Sequence, residues 1–439
     1  MDVLLSMKLL LRIAFVACLL AACSKDDIAI SEVGQDVDTI ANAGDTLTED
    51  TVKKELVSSA ELELTDTQKQ YIERWQDFAF DLYRTAAKGQ GNTKSLLVSP
   101  LSASFLLAML NEATQGKGSE ELMELMKCGT MGKQDLNELC GYLTANMPGV
   151  DSTVKLKLSN MVATDNSVEL EGPFRRTMEE YYQAETPSLD FASNAATDHI
   201  NSWCLKATDG FLPYAIDKIL PDELAVFLNV VYLNAPWTEK FDPAQTQMEQ
   251  FSCYTGGVEL PIMRQQAFRL PYMQNELYAM LCLPFGRYCK WWMKVLLPNE
   301  GKTVDEVVKS LNGKEWREQS TQYQRYDIAD IKLPRFEAEY GIELKSVLKE
   351  MGVADIFTPQ ADFSPMGRGL AGSRVSRVFQ KTKVKVAEEG AEMAAASTAA
   401  LPAGSSFKIQ FYATRPFVYV VEEANTGIIL FIGTFLGED

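Results

Sequence analysis

One imidazole, His199, is the whole supply of side chains in this sequence that titrate near neutral pH without help. A Ser-His-Asp or Cys-His nucleophile needs such a base, and a zinc site usually draws on several imidazoles, so either chemistry would have to run through this one residue. His199 lies in Thr197-Asp198-His199-Ile200-Asn201-Ser202-Trp203, a helical turn that puts Ile200 and Trp203 on one apolar face. That setting reads as a structural helix histidine. No G-x-S-x-G elbow, Walker phosphate loop, C-x-x-C or H-E-x-x-H occurs, and the acid pairs Glu120-Glu121 and Glu388-Glu389 read as solvated neighbours. The expectation is a chain that is not an enzyme and uses no metal or cofactor.

Composition narrows the partners. The 439 residues carry 60 acidic against 42 basic side chains, a formal charge of −18, with 46% apolar residues. That is a globular composition with an ample core. It offers no clustered cationic footprint, so neither nucleic acid nor a heparin-like polyanion is expected to bind.

The elements that carry this chain begin with an address. From Met7 a segment with Lys8 and Arg12 leads an apolar run to Leu20, the pattern of a secretory signal and too short for a membrane span. The six residues before Met7 add nothing to it, so Met7 is the expected start. Leu20-Ala21-Ala22-Cys23 resembles the bacterial lipoprotein box, which makes residues 1–22 a signal peptide and Cys23 the acylated residue. Ser24-Lys25-Asp26-Asp27 resembles a surface-export signal of Gram-negative lipoproteins, implying an outer-membrane, surface-exposed protein held by its lipid anchor. Residues 23–66 lack aromatic side chains and are rich in Asp, Glu, Thr and Ser, hence an acidic, disordered tether. The cysteines remaining beyond Cys23 are Cys128, Cys140, Cys204, Cys253, Cys282 and Cys289, whose spacing sets no disulfide framework.

Residues 67–439 read as one α+β domain. Tyr71, Trp75, Phe78 and Leu82 recur at helical spacing, and Pro100 to Leu110 forms a second helix with Ser99 as its cap. Strands follow at Leu224 to Leu233, Met280 to Leu283, Trp292 to Leu297 and Phe417 to Val421, the last forming a hairpin with Ile428 to Phe435.

Leu97-Val98-Ser99-Pro100-Leu101-Ser102, Asn229-Val230-Val231-Tyr232-Leu233-Asn234-Ala235-Pro236-Trp237, Leu333-Pro334-Arg335-Phe336, Met351-Gly352-Val353, Asp362-Phe363-Ser364 and Arg415-Pro416-Phe417 together resemble the serpins, in that family's order. The resemblance implies a multi-sheet single domain with surrounding helices and an exposed reactive loop. It also implies a shutter built from Ser99, Ser102, Asn229 and Gln380, the last standing where many members have a histidine that bonds the Asn229-like and Ser102-like residues. An amide both donates and accepts, which lets Gln380 keep that network.

The loop hinge runs Glu388-Glu389-Gly390-Ala391-Glu392-Met393-Ala394-Ala395-Ala396-Ser397-Thr398, after Val384 and Val386 alternate with lysines as in a half-buried strand. Six of the ten residues after Gly390 are alanine and none is proline. Such a run suits a helix as well as a strand that must slide into a sheet; the resemblance implies the latter, with the cleaved loop inserting and trapping the acyl-enzyme. Alternation puts Ala391, Met393, Ala395 and Ser397 on the inward face, Met393 being larger than the alanine usual there. The alternative is a non-inhibitory serpin, a surface binding module whose loop is a plain protease substrate.

Counting from Gly390 by the family's usual length places the scissile bond after Gly404, and counting back from Pro416 places it after Ser405. Leu401-Pro402-Ala403-Gly404-Ser405-Ser406 offers no charged side chain, which suits the small primary pocket of an elastase-like serine protease. A papain-like cysteine protease or a subtilisin also accepts small residues.

Overall fold

The computed structural model describes residues 58–88, 94–220, 222–267, 270–319, 322–325, 328–390 and 408–437. Helix α1 (Asp66–Lys88) buries Tyr71, Trp75, Phe78 and Leu82, the stripe expected from their spacing. Helix α2 (Pro100–Ala113) starts where Ser99 accepts the Ser102 amide at 3.2 Å, with proline at the first position, and is buried almost all round. Helices α3 (Lys117–Leu125), α4 (Lys133–Asn146), α5 (Gly172–Tyr182) and α6 (Asn194–Ala207) follow. Later come α7 (Val304–Ser310), α8 (Gly313–Gln319) and α9 (Lys345–Glu350). His199 is exposed on α6, whose Ile200 and Trp203 are buried.

Five sheets make up the β structure of the described residues. The largest runs β1 (Leu96–Val98), β18 (Ile429–Phe435), β17 (Phe417–Glu423), β10 (Trp291–Pro298), β9 (Tyr278–Phe285), β8 (Pro271–Gln274) and β11 (Gln324–Arg325). Its β17–β18 hairpin pairs Phe417 with Phe435, and both strands are buried on each face, which explains their continuous apolar runs. A second sheet runs β16 (Lys408–Tyr412), β12 (Ile328–Pro334), β7 (Gly256–Ala267) and β6 (Gln247–Cys253). A small pair joins β3 (Glu169–Leu170) to β14 (Gly367–Arg368).

Two sheets matter most here. One holds β4 (Ser188–Leu189), β2 (Lys155–Asp165) and β5 (Ala225–Asn234); the other pairs β13 (Phe336–Glu343) with β15 (Phe379–Val386). β5 and β15 lie side by side, yet among the described residues no ladder joins them. Two long edges, each with unspent amides and carbonyls, therefore face one another inside the molecule. Exposed edges of this kind are templates for a further strand.

One boundary differs from expectation. The folded unit begins at Ser58 rather than Thr67: Ser59 bridges Asp151, the Ala60 amide donates to the Val150 carbonyl at 3.1 Å, and Leu64 is buried. An extended segment held only by distant partners carries no periodicity to announce it. Among the described residues no disulfide joins Cys128, Cys140, Cys204, Cys253, Cys282 or Cys289.

Candidate functional site, the head of a split sheet

β15 leads into the hinge. Gln380, Thr382 and Val386 are buried, while Lys381 and Lys383 point to the outer face, where they meet Glu339 at 2.8 Å and Glu337 at 2.6 Å on β13. Burial would raise the Glu339 carboxyl, but hydrogen bonds and charge from both lysines outweigh it and hold the group below its ordinary range.

Beyond Val386 the chain is gripped by the segment that follows β5. The Trp237 indole donates to the Ala387 carbonyl at 2.8 Å, the Trp237 amide to Glu389 at 3.2 Å, and the Phe241 amide to Glu388 at 2.9 Å. Trp237 itself is stacked on Phe285, with ring centroids 4.3 Å apart. Gly390 bridges both Ala387 and Pro236. Its φ of 92° belongs to glycine, and an added Cβ would collide with Ala235 O, Trp237 N and Pro236 Cα. Only glycine lets the strand turn back at this point.

Glu388 corrects the solvated reading of the Glu388-Glu389 pair. It is buried, accepting from Thr246 Oγ1 at 2.8 Å and facing Arg335 at 3.3 Å. Three distant segments converge on it, which local sequence could not reveal.

The shutter residues do come together, with one correction. Gln380 both donates and accepts, but its partner is the Ser99 backbone: Ser99 N donates to Oε1 at 3.0 Å and Nε2 donates to Ser99 O at 2.8 Å. Asn229 and Ser102 are reached separately, through Ser102 Oγ donating to Asn229 O at 3.4 Å. Gln380 comes from one side of the gap and Asn229 from the other, so the α2 cap links them indirectly.

Sequence reasoning missed Asn160 and Tyr182. Asn229 Nδ2 donates to Asn160 Oδ1 at 2.8 Å, and Asn160 Nδ2 donates to the Tyr182 carbonyl at 2.7 Å. A polar residue directly before the apolar run Met161-Val162-Ala163 was the available signal. Asn229 Oδ1 is buried and has no hydrogen-bond partner among the described residues, a costly state for an amide oxygen.

Below the shutter a cavity of about 260 Å³ opens between β5 and the start of β15, with Leu106, Phe227, Phe363 and Val378 on its apolar part and Glu223 and Arg377 among its charged lining. Besides the four shutter residues, Glu388, Glu389 and Gly390 of the expected site are described, whereas Ala391, Glu392, Met393, Ala394, Ala395, Ala396, Ser397, Thr398, Gly404, Ser405 and Cys23 lie outside the described residues.

Comparison with known proteins follows the same lines. Residues 73–437 match the family model described as "Serpin (serine protease inhibitor)". The chain is 30% identical to serpin B6 of Macaca fascicularis over 82% of this chain and 96% of that protein. It is 28% identical to serine protease inhibitor 42Dd of Drosophila melanogaster over 79% and 92%. Among solved structures it is similar to the thermophilic serpin tengpin in its native state, with TM-score 0.77, 23% identity and coverage of 87% and 97%. Human thyroxine-binding globulin aligns with TM-score 0.75, 23% identity and coverage of 84% and 99%.

Proposed function

We propose an inhibitory function for this chain, which belongs to the serpin family: its loop traps a protease by inserting between β5 and β15. Serpins act on proteases and are not themselves catalysts. Serpin loop insertion is an established example of strand addition to a sheet. The protease's nucleophilic oxygen attacks the carbonyl carbon of Gly404 or Ser405. The amide C–N bond breaks, the leaving amine takes a proton from the protease's own acid, and the acyl half of the loop stays esterified to the enzyme. Entry of the cut strand then carries the enzyme away before water completes hydrolysis.

The observation that carries this reading is the pair of facing, unladdered edges with Gly390 bridged to both at their head. Continuing each bridge antiparallel, residue by residue, brings Ser397 opposite Gln380 on one side and Asn229 on the other. Ala395 falls between Thr382 and Val231, and Ala399 between Val378 and Phe227 at the cavity. Roughly a dozen entering residues at about 1 kcal/mol net each could release on the order of 10 kcal/mol. The uncut form is then kinetically held.

A target of the elastase type, a lipid anchor at Cys23 and display at the outer-membrane surface of a Gram-negative cell complete the proposal. The uncharged window Leu401 to Ser406 and the lipoprotein box support them. A second reading, a binding module that does not inhibit, is favoured by Met393, whose bulk would enter between Val384 and Leu233. Mixing the purified chain with elastase and running a denaturing gel decides between them: a stable high-mass adduct marks the inhibitor, and cleaved chain alone marks the module. Stable trypsin adducts formed by cutting after Lys408 would overturn both register and target class.

A further inference from the structure

The outer face of the gap is not empty. The segment after α6 is clamped to that helix by two side chains: Thr208 Oγ1 accepts from the Leu212 amide at 2.9 Å, and Asn201 Oδ1 accepts from the Ala215 amide at 2.8 Å while its Nδ2 donates to the Ile216 carbonyl at 2.9 Å. From this strap two aromatic rings reach across. Phe211 sits 5.7 Å from the Tyr232 ring on β5 and 4.9 Å from Lys383 Nζ on β15. Tyr214 covers Lys381 Nζ at 4.2 Å. Both ammonium groups are fixed from the far side by Glu337 and Glu339, so the lysines are rigid posts for the rings. Phe211 thus spans two strands whose backbones share no ladder.

We propose that Phe211 and Tyr214 are positioning residues that strap β5 to β15 across the gap and set how fast a strand enters it. The proposal rests on the insertion reading above. In the register set by the two Gly390 bridges, Ala394 enters between Lys383 and Tyr232, and Ala396 between Lys381 and Val230, both on the outer face. Those are the places the two rings cover. Alanine there lets a strand pass beneath the strap, and the rings must first leave their lysines to admit the backbone.

The test uses the full chain with Phe211→Ala, Tyr214→Ala and Lys383→Met, the last keeping an apolar stem while removing the cation. Hydrogen exchange of the β5 and β15 amides in uncut protein reads the strap directly, with no protease present. Exchange in each variant is expected to rise on the order of fivefold, with conversion of the uncut form to an inactive, heat-stable form at raised temperature quickening by a similar factor. Unchanged exchange and conversion in Tyr214→Ala and Lys383→Met would overturn the strap, and these exposed or conservative changes decide the matter if Phe211→Ala does not fold. Faster exchange without any protease adduct in the wild type would uphold the strap and sink the inhibitory reading instead.

Discussion

Arg335 and Glu388 meet at 3.3 Å in unequal surroundings, the carboxylate buried and the guanidinium half in water. The pair joins the start of β13 to the hinge, and Thr246 supplies the remaining hydrogen bond to the same carboxylate oxygen. Removing Arg335 leaves a buried carboxylate with one neutral donor. Because the arginine is half exposed, solvent screens much of the effect, and Arg335→Ala is expected to destabilise the uncut form by about 1 kcal/mol. Scanning calorimetry on uncut and cleaved protein checks it: the loss belongs mainly to the uncut state if the pair holds the hinge closed.

Cleavage within residues 401–406 should raise the melting temperature sharply, since the loop then completes a sheet. An unchanged curve after verified cleavage rules insertion out. Ala395→Arg should turn inhibitor into substrate, because its side chain would be driven between Thr382 and Val231 on the buried face. Full inhibition by that variant contradicts the register.

Asn229 Oδ1 is buried with no hydrogen-bond partner among the described residues, and the proposed inserted register would bring the Ser397 hydroxyl opposite it. Ser397→Ala should therefore leave the uncut protein unaffected and cost the cleaved form about 1 kcal/mol. Equal effects on both forms, read from denaturant midpoints, would show that the serine does its work elsewhere.

Acid should weaken the outer face of the β13–β15 pair. Glu339 is held below its ordinary value of 4.5 in the folded protein, so its contribution is complete above that value and is lost as pH falls through the lowered one. Lys381 and Lys383 are correspondingly raised, their burial outweighed by these carboxylates, and contribute fully until pH climbs past 10.5. Glu339→Gln should lower the melting temperature at pH 7 and do so by less at pH 3. A constant penalty across that range would remove the ion pairs from the account.

Palmitate should label the wild type and not Cys23→Ala when the chain is produced in a Gram-negative host. Label persisting in the variant would show that another residue is acylated.

What the sequence by itself determined is local or ordered along the chain. The helical spacing of Tyr71, Trp75, Phe78 and Leu82, the Ser99 cap and the Phe417 to Phe435 hairpin each follow from backbone preferences acting over a few residues. Motifs in fixed order identified the family. The tertiary structure alone decided who meets whom: Gln380 with Ser99, Glu388 with Arg335, and Phe211 with Lys383. These partners are far apart in the chain, and a side chain's neighbours across a sheet depend on register and crossing strands that no local pattern encodes. The gap itself is of this kind. β5 and β15 each read as an ordinary strand, and only their placement side by side, with no ladder between them, makes room for a third.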